Sequence, residues 1–440
     1  MLAIPAFRRL WTVTALTSTG EWLSLLALTS LATHLTATAG FTAQSFALGG
    51  VVATKLVPSL LCGPLAGVLA DRFDRRRVMI VCDLAKFVLL ASVPFVHSLW
   101  WLLVVTLLLE LCTMFWIPAK DAAVPNLLRR PEQMEQAAQL SLVVTYGVAV
   151  VGGAGLFALV AKAAPLLDAA DPTAAVHVAL FLNSFVFLAS ALVVALRIPE
   201  LSGRAAVADR REVPPSMLFL LRDGFRFVAG TPLVRGLVIG IVGAFTAGGA
   251  VIATAKLYAS GLGGGDAAYS VLFASVFAGL ALGMLAAPRL AQRLPHQRLF
   301  GAAIVGAGLA LVLVAVAVHL FMAIAAVVLV GGFAGVAFLT GLTIIGTRVA
   351  DEVRGRVNAF VQSLVRLVLL GAMSLVPVVV GVIATRTVMI GGAAVVVDGT
   401  RFVLAGGGIL AAAVGAIAYR LMSGADAVEP TGPVRVEEIP

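Results

Sequence analysis

The sequence predicts an all-α polytopic membrane protein, with twelve transmembrane helices arranged as two pseudo-symmetric six-helix bundles. Composition is the first observation behind that expectation: of 440 residues, 61% are hydrophobic and only 12% charged. A soluble domain carries about 25% charged residues, so this chain cannot clothe a water-facing surface of its size. Disorder is excluded as well, because disordered chains are poor in apolar residues. Run length is the second observation. The apolar segments reach the roughly 20 residues needed to cross hydrocarbon, whereas barrel strands are about 10 residues long and alternate polar with apolar. An internal repeat, set out below, is the third.

Apolar runs place the spans at 9–35, 44–70, 78–97, 100–118, 137–161, 175–196, 233–257, 267–290, 299–319, 321–347, 358–384 and 400–420. The first run is long and lacks a small-residue cleavage site, so it is expected to stay as a span rather than leave as a signal peptide. The longest connection falls between spans six and seven. It holds Arg204, Arg210, Arg211, Pro214 and Pro215, which read as a solvated linker. Its later part mixes Leu220, Leu221, Phe225 and Phe227 with Arg222 and Arg226, a pattern suited to a helix lying on a membrane surface. The expected organisation is therefore an N-terminal bundle over 1–197, a linker with its surface helix over 198–232, a C-terminal bundle over 233–421 and a disordered tail over 422–440. A short amphipathic stretch, 125–139, carries Arg129, Arg130, Glu132 and Glu135 and reads as a second surface helix.

The net charge is +9, but the basic residues form no single soluble face of the kind that binds nucleic acid. They sit between spans, and almost all on one side. Only Lys162, Lys256, Arg386 and Arg401 fall on the other side, and Lys55, Lys86 and Arg366 lie within spans. Basic loops stay cytoplasmic, so both termini are expected inside. The three cysteines, Cys62, Cys82 and Cys112, lie in or beside apolar runs without paired spacing. They suggest neither a disulfide framework nor a zinc site. The preference for Arg over Lys, with abundant Ala, suggests a bacterial source and hence a bacterial plasma membrane.

The repeat links the two halves. Gly63-Pro64-Leu65-Ala66-Gly67 closes span two, and Gly279-Leu280-Ala281-Leu282-Gly283 lies near the end of span eight. At the same offset Ala70 matches Ala286 and Arg77 matches Arg293. Small residues every fourth position let helix backbones approach closely. Packing alone would account for them, but their matching place in each half points to a duplicated unit, as secondary transporters use.

Ionisable residues inside the membrane are the sharpest candidates, since each costs about 2.5–3.5 kcal/mol at mid-helix on insertion scales. Glu21 lies near the middle of span one, Lys55 of span two and Glu110 of span four, and Arg366 sits off-centre in span eleven. Glu21 and Lys55 on adjacent helices are readable either as a structural ion pair or as functional groups. Glu110 has no evident partner nearby, which favours a functional role: a carboxyl in a poorly hydrated cavity holds its proton more readily and can pass it across. Asp83 and Lys86, three apart, are expected to neutralise each other on one helix face. His34 is expected at the outer interface without a special role. Asn183, Thr343, Thr347 and Gln362 are expected to bond neighbouring helices more than substrate, and Trp100 and Trp101 to anchor the interface.

After span two the chain runs Gly67-Val68-Leu69-Ala70-Asp71-Arg72-Phe73-Asp74-Arg75-Arg76-Arg77. This resembles the major facilitator superfamily, whose loop between helices two and three runs Gly-x-Leu-Ala-Asp-Arg-x-Gly-Arg-Arg-Arg. Asp74 replaces the second glycine. The resemblance implies that Asp71 caps helix eleven near Asn358 when the cytoplasmic gate is shut, with Arg72, Arg75, Arg76 and Arg77 in the surrounding charge network. It also implies that helices one, four, seven and ten line a central cavity, which Glu21 and Glu110 would face.

Three further stretches resemble the siderophore and macrolide exporter branch of that family: Phe115–Pro125, Asp351–Val357 and Gly20-Glu21-Trp22. The helix-five antiporter signature is poorly kept, with Gly147, Gly152 and Gly153 but no proline. Lys256–Gly283 is similar to the transporter half of actinobacterial proteins fused to a thymidylate kinase, but no Gly-x-x-x-x-Gly-Lys-Ser/Thr loop occurs here. The resemblance thus implies a non-enzymatic secondary transporter, exporting a small amphipathic compound by alternating access. The intramembrane carboxyls Glu110 and Glu21 point to a proton gradient as the energy source; no cofactor and no nucleic-acid partner are expected, and a monomer in the lipid bilayer is the expected unit. A transporter-like domain linked to a kinase and a lysolipid flippase are the alternatives.

Overall fold

The computed structural model describes residues 4–70, 73–128, 137, 140–141, 144–163, 173–201, 232–348, 351–383, 386–390, 393–397 and 399–425. Twelve long helices stand among them. The first six are α1 (Pro5–Leu35), α2 (Phe41–Ala70), α3 (Arg75–Ser92), α4 (Leu99–Leu127), α5 (Ala149–Ala163) and α6 (Ala174–Arg197). The last six are α7 (Pro232–Gly261), α8 (Gly265–Ala291), α9 (His296–Val316), α10 (Leu320–Arg348), α11 (Asp351–Val382) and α12 (Gly399–Ala425). Eight are long and apolar enough by length and composition alone to cross a membrane. Large apolar side chains point outward along them, including Trp100, Phe321 and Leu285, as lipid-facing surfaces require.

Where the connections are short, between α1 and α2, α3 and α4, α7 and α8, and α9 and α10, the chain turns back and the paired helices pack on each other. The end holding the chain's N-terminus is called the near end and the opposite one the far end. Helix neighbours repeat at an offset of six: α1 packs on α5 and α6 as α7 packs on α11 and α12. Likewise α3 packs on α6 as α9 does on α12, and α2 on α4 as α8 does on α10. The first six helices meet the last six through α2 against α11 and α5 against α8. This duplicated pattern is what the sequence repeat predicts.

The repeat glycines of α8 have a packing reason. A Cβ on Gly283 would overlap the Gly332 carbonyl oxygen of α10, and one on Gly279 the Val328 carbonyl. Gly331 and Gly335 of α10 return the contact against Val276 and Leu280. The side-chain surroundings of Gly63 and Gly67, on α2, lie outside the described residues.

Two features depart from the expected spans. In the connection before span twelve, β1 (Arg386–Ile390) pairs antiparallel with β2 (Ala393–Val397), in the register Arg386 to Val397 through Ile390 to Ala393. Span five is interrupted, with a π-helical turn over Val144–Val148 preceding α5. There Trp22 Nε1 donates to the Thr145 carbonyl at 2.8 Å, and Gly153 lets α5 approach α1, since a Cβ would stand 2.8 Å from the Thr19 carbonyl oxygen. The expected linker, most of the 125–139 helix and most of the tail lie outside the described residues.

Candidate functional site

Four charged side chains form a chain of contacts at mid-depth among α1, α2, α3 and α4. Lys86 Nζ of α3 donates to Glu21 Oε1 of α1 at 2.5 Å. Glu21 Oε2 lies 3.6 Å from Lys55 Nζ of α2, and Lys55 Nζ lies 3.8 Å from Glu110 Oε2 of α4. The order Lys86–Glu21–Lys55–Glu110 alternates sign, so each charge has an opposite neighbour and the set is neutral. Thr113 of α4 adds a hydrogen bond to Glu21 Oε1 at 2.9 Å.

The two ends of this chain differ in environment. Lys86 is 2% exposed, and its ammonium stands 5.2 Å from the Phe187 ring centroid and 5.9 Å from that of Trp116. Cation–π contacts of this kind gain strength when desolvated. Lys55, Glu21 and Glu110 keep 25%, 23% and 14% of their side-chain surface exposed. An ionisable group at this depth faces a bundle interior or a water-filled cavity rather than lipid. Lys86 therefore anchors the chain, and Glu21, Lys55 and Glu110 form its more open part.

Three expectations are corrected here. Glu110 has a partner, Lys55, because α2 packs directly on α4. Lys86 does not pair with Asp83; it turns to Glu21, while buried Asp83 accepts from Ser190 Oγ of α6 at 2.5 Å. His34 is not a bystander: its Nε2 lies 3.0 Å from Asp266 Oδ2 of α8.

Glu21 and Lys55 lie 3.6 Å apart, a contact compatible with either reading of the two. Asn183 bonds a neighbouring helix, donating to the Gly20 carbonyl at 2.9 Å and to Ser24 Oγ at 2.8 Å. Thr343 and Thr347 bond carbonyls of their own helix. Arg366 lies on α11 and Gln362 beside it, with side chains outside the described residues.

Around the loop after α2, Asp71 and Arg72 also lie outside the described residues, and Gly67 belongs to the last turn of α2. Asp74 has a structural role: its Oδ1 accepts from Arg77 N at 2.9 Å and caps the start of α3. Aspartate is among the preferred residues at that position because it satisfies an orphan backbone donor. Arg76 spans to α6, donating Nε to the Val194 carbonyl at 3.3 Å and Nη2 to that of Ala195. Arg77 is exposed, and Arg75 is half-buried.

The far end holds groups that sequence reading treated as loop charges. Arg401, at the start of α12, is buried and donates to the carbonyls of Ala315 at 2.8 Å and Ala317 at 2.7 Å. Lys256 is 4% exposed and bonded to Asp266 Oδ1, which also accepts from Ser30 Oγ of α1. Thr29 Oγ1 and Tyr269 OH lie 3.2 Å apart in the same layer.

The family description "Major Facilitator Superfamily" matches residues 10–373. The chain is 24% identical over 223 residues to the "Uncharacterized MFS-type transporter YfiS" of Bacillus subtilis (strain 168), covering 50% of this chain and 48% of that protein. It thus spans about half the length of the curated relative it matches. A bacterial homologue of the human lysosomal transporter Spinster, solved in an inward-facing and unoccupied conformation, has a TM-score of 0.69 at 16% identity, covering 96% of this chain and 98% of that one. The nucleoside transporter NupG, as a D323A mutant, has a TM-score of 0.67 at 12% identity over 94% and 99% of the two chains. At these identities the likeness is one of fold.

Proposed function

The chain belongs to the Major Facilitator Superfamily, and on that premise we propose that it exports a small amphipathic compound by proton-coupled alternating access. The observation that carries the proposal is the Lys86–Glu21–Lys55–Glu110 chain at mid-depth, fixed at Lys86 and more open at Glu21, Lys55 and Glu110. Glu110 is the proton carrier. With Glu110 ionised, Lys55 is shared between two carboxylates. With Glu110 protonated at Oε2, Lys55 leans to Glu21 alone, and Glu110 becomes a neutral hydrogen-bond donor in the cavity. Proton and substrate thus compete for one small set of groups, which is the requirement for exchange. Arg366 is the candidate contribution from the last six helices.

Units 1–197 and 233–421 rock against each other in this reading, which the six-helix offset in packing supports. Asp71, meeting the chain near Asn358, latches the cytoplasmic end, with Gly67 and the arginines Arg72, Arg75, Arg76 and Arg77 around it. The one-sided basic segments support cytoplasmic termini in a bacterial plasma membrane. Export is favoured over import by the likeness of Phe115–Pro125 and Asp351–Val357 to the exporter branch. The proton gradient supplies the energy, no cofactor is needed, and the monomer in its bilayer is the working unit.

A thermal-shift screen of the purified protein against siderophores, macrolides and nucleosides identifies the ligand class. Stabilising compounds are then followed into inside-out vesicles under an imposed pH gradient. Gradient-driven accumulation supports the reading. Accumulation indifferent to the gradient rules out proton coupling, and no movement of any stabilising compound rules out export.

A further inference from the structure

The far-end layer on Asp266 has a use that the mid-depth site does not supply. Four hydrogen-bond or ion-pair contacts between described residues join the first six helices to the last six toward the far end. These are Thr29 to Tyr269, Ser30 and His34 to Asp266, and Thr42 to the Gly381 carbonyl at 2.8 Å. Two of them converge on one carboxylate. We propose that Asp266 is the hub of a latch that closes the far end and must release α1 once in every transport cycle.

The arrangement of donors makes release possible. Lys256 of α7 and Asp266 of α8 belong to the same six helices, and their pairing survives when α1 leaves. No buried charge is stranded, which is the costly outcome when an ion pair is split. The α1 donors are replaceable as well. A helical serine can turn its hydroxyl to a carbonyl one turn back, and His34 keeps 27% of its side chain exposed to take water. Lys86 and Glu21 contrast with this, because both belong to the first six helices and nothing in the cycle separates them. The Asp266 contacts are thus built to be made and broken. This inference rests on the alternating-access reading, but its test does not need a substrate.

Spin labels at Thr38→Cys and Ser260→Cys, both exposed at the far end, report the separation of α1 from α7. The background carries Cys62, Cys82 and Cys112 changed to alanine, and the full chain is held in lipid nanodiscs. Pulsed dipolar spectroscopy is expected to find a predominant short distance without further change. Ser30→Ala with His34→Ala should raise the longer-distance population about tenfold relative to the short one, equivalent to about 1.4 kcal/mol. Asp266→Asn should act in the same direction. Should Asp266→Asn not yield monodisperse protein, the double variant decides alone, since it leaves Lys256–Asp266 intact. An unchanged distance distribution overturns the latch, whether or not the protein transports. A protein that opens as expected but moves no compound overturns the transport reading instead.

Discussion

Lys55 Nζ stands 3.8 Å from Glu110 Oε2, across the contact between α2 and α4. That separation admits electrostatic attraction without a short hydrogen bond, and Lys55 is at a similar distance from Glu21. A lysine placed between two carboxylates can move toward either as their charges change. Its position makes it the responsive element of the chain, with Lys86 as the fixed one.

Lys55→Met removes the cation that favours ionised Glu110. The proton step then loses the cation that both carboxylates share, so the midpoint of gradient-driven transport should move. A pH profile of vesicle transport measures this. An unmoved midpoint would separate Lys55 from the proton step.

Lys86→Met leaves Glu21 without its buried cation. Removing one member of a buried pair costs about 3–5 kcal/mol, so the melting temperature followed by gel filtration should fall sharply. Adding Glu21→Gln should recover part of the loss, because the stranded charge is then gone. Two changes that simply add would show that the pair is not coupled.

Gly283→Ala forces a methyl group onto the Gly332 carbonyl. Ordinary overpacking costs about 1–3 kcal/mol, and backbone cannot yield as a side chain can, so a loss of at least that order is expected. Gly155→Ala meets nothing within 4 Å and serves as the tolerant control. Equal melting of the two variants would contradict the close approach of α8 and α10.

Asp71→Asn should lower transport while leaving membrane insertion and melting temperature unchanged, since its proposed partner is the stretch of α11 near Asn358. Unchanged transport in vesicles would remove Asp71 from the gate.

The twelve helices were legible because hydrocarbon imposes both a length and a composition on each span. Glu21, Lys55 and Glu110 were legible because intramembrane charge is rare. Which charge meets which was not, since hydropathy does not fix helix rotation. Asp83 and Lys86 are close in sequence, yet Lys86 faces α1 and Asp83 faces α6. The Asp266 contacts were hidden for a related reason: His34 and Lys256 read as end residues, and their partner lies on another helix. For the β1–β2 pair the signal was present, because Gly391-Gly392 separates two β-rich runs, a hairpin pattern.

The account depends most on Glu110 carrying the proton. Proteoliposomes loaded with a pH-sensitive dye, holding wild-type or Glu110→Gln protein, read proton movement when a stabilising compound is added. Wild-type protein should move protons only with the compound present, and Glu110→Gln should bind the compound but move none. Substrate-driven proton movement at the wild-type rate in Glu110→Gln would contradict it.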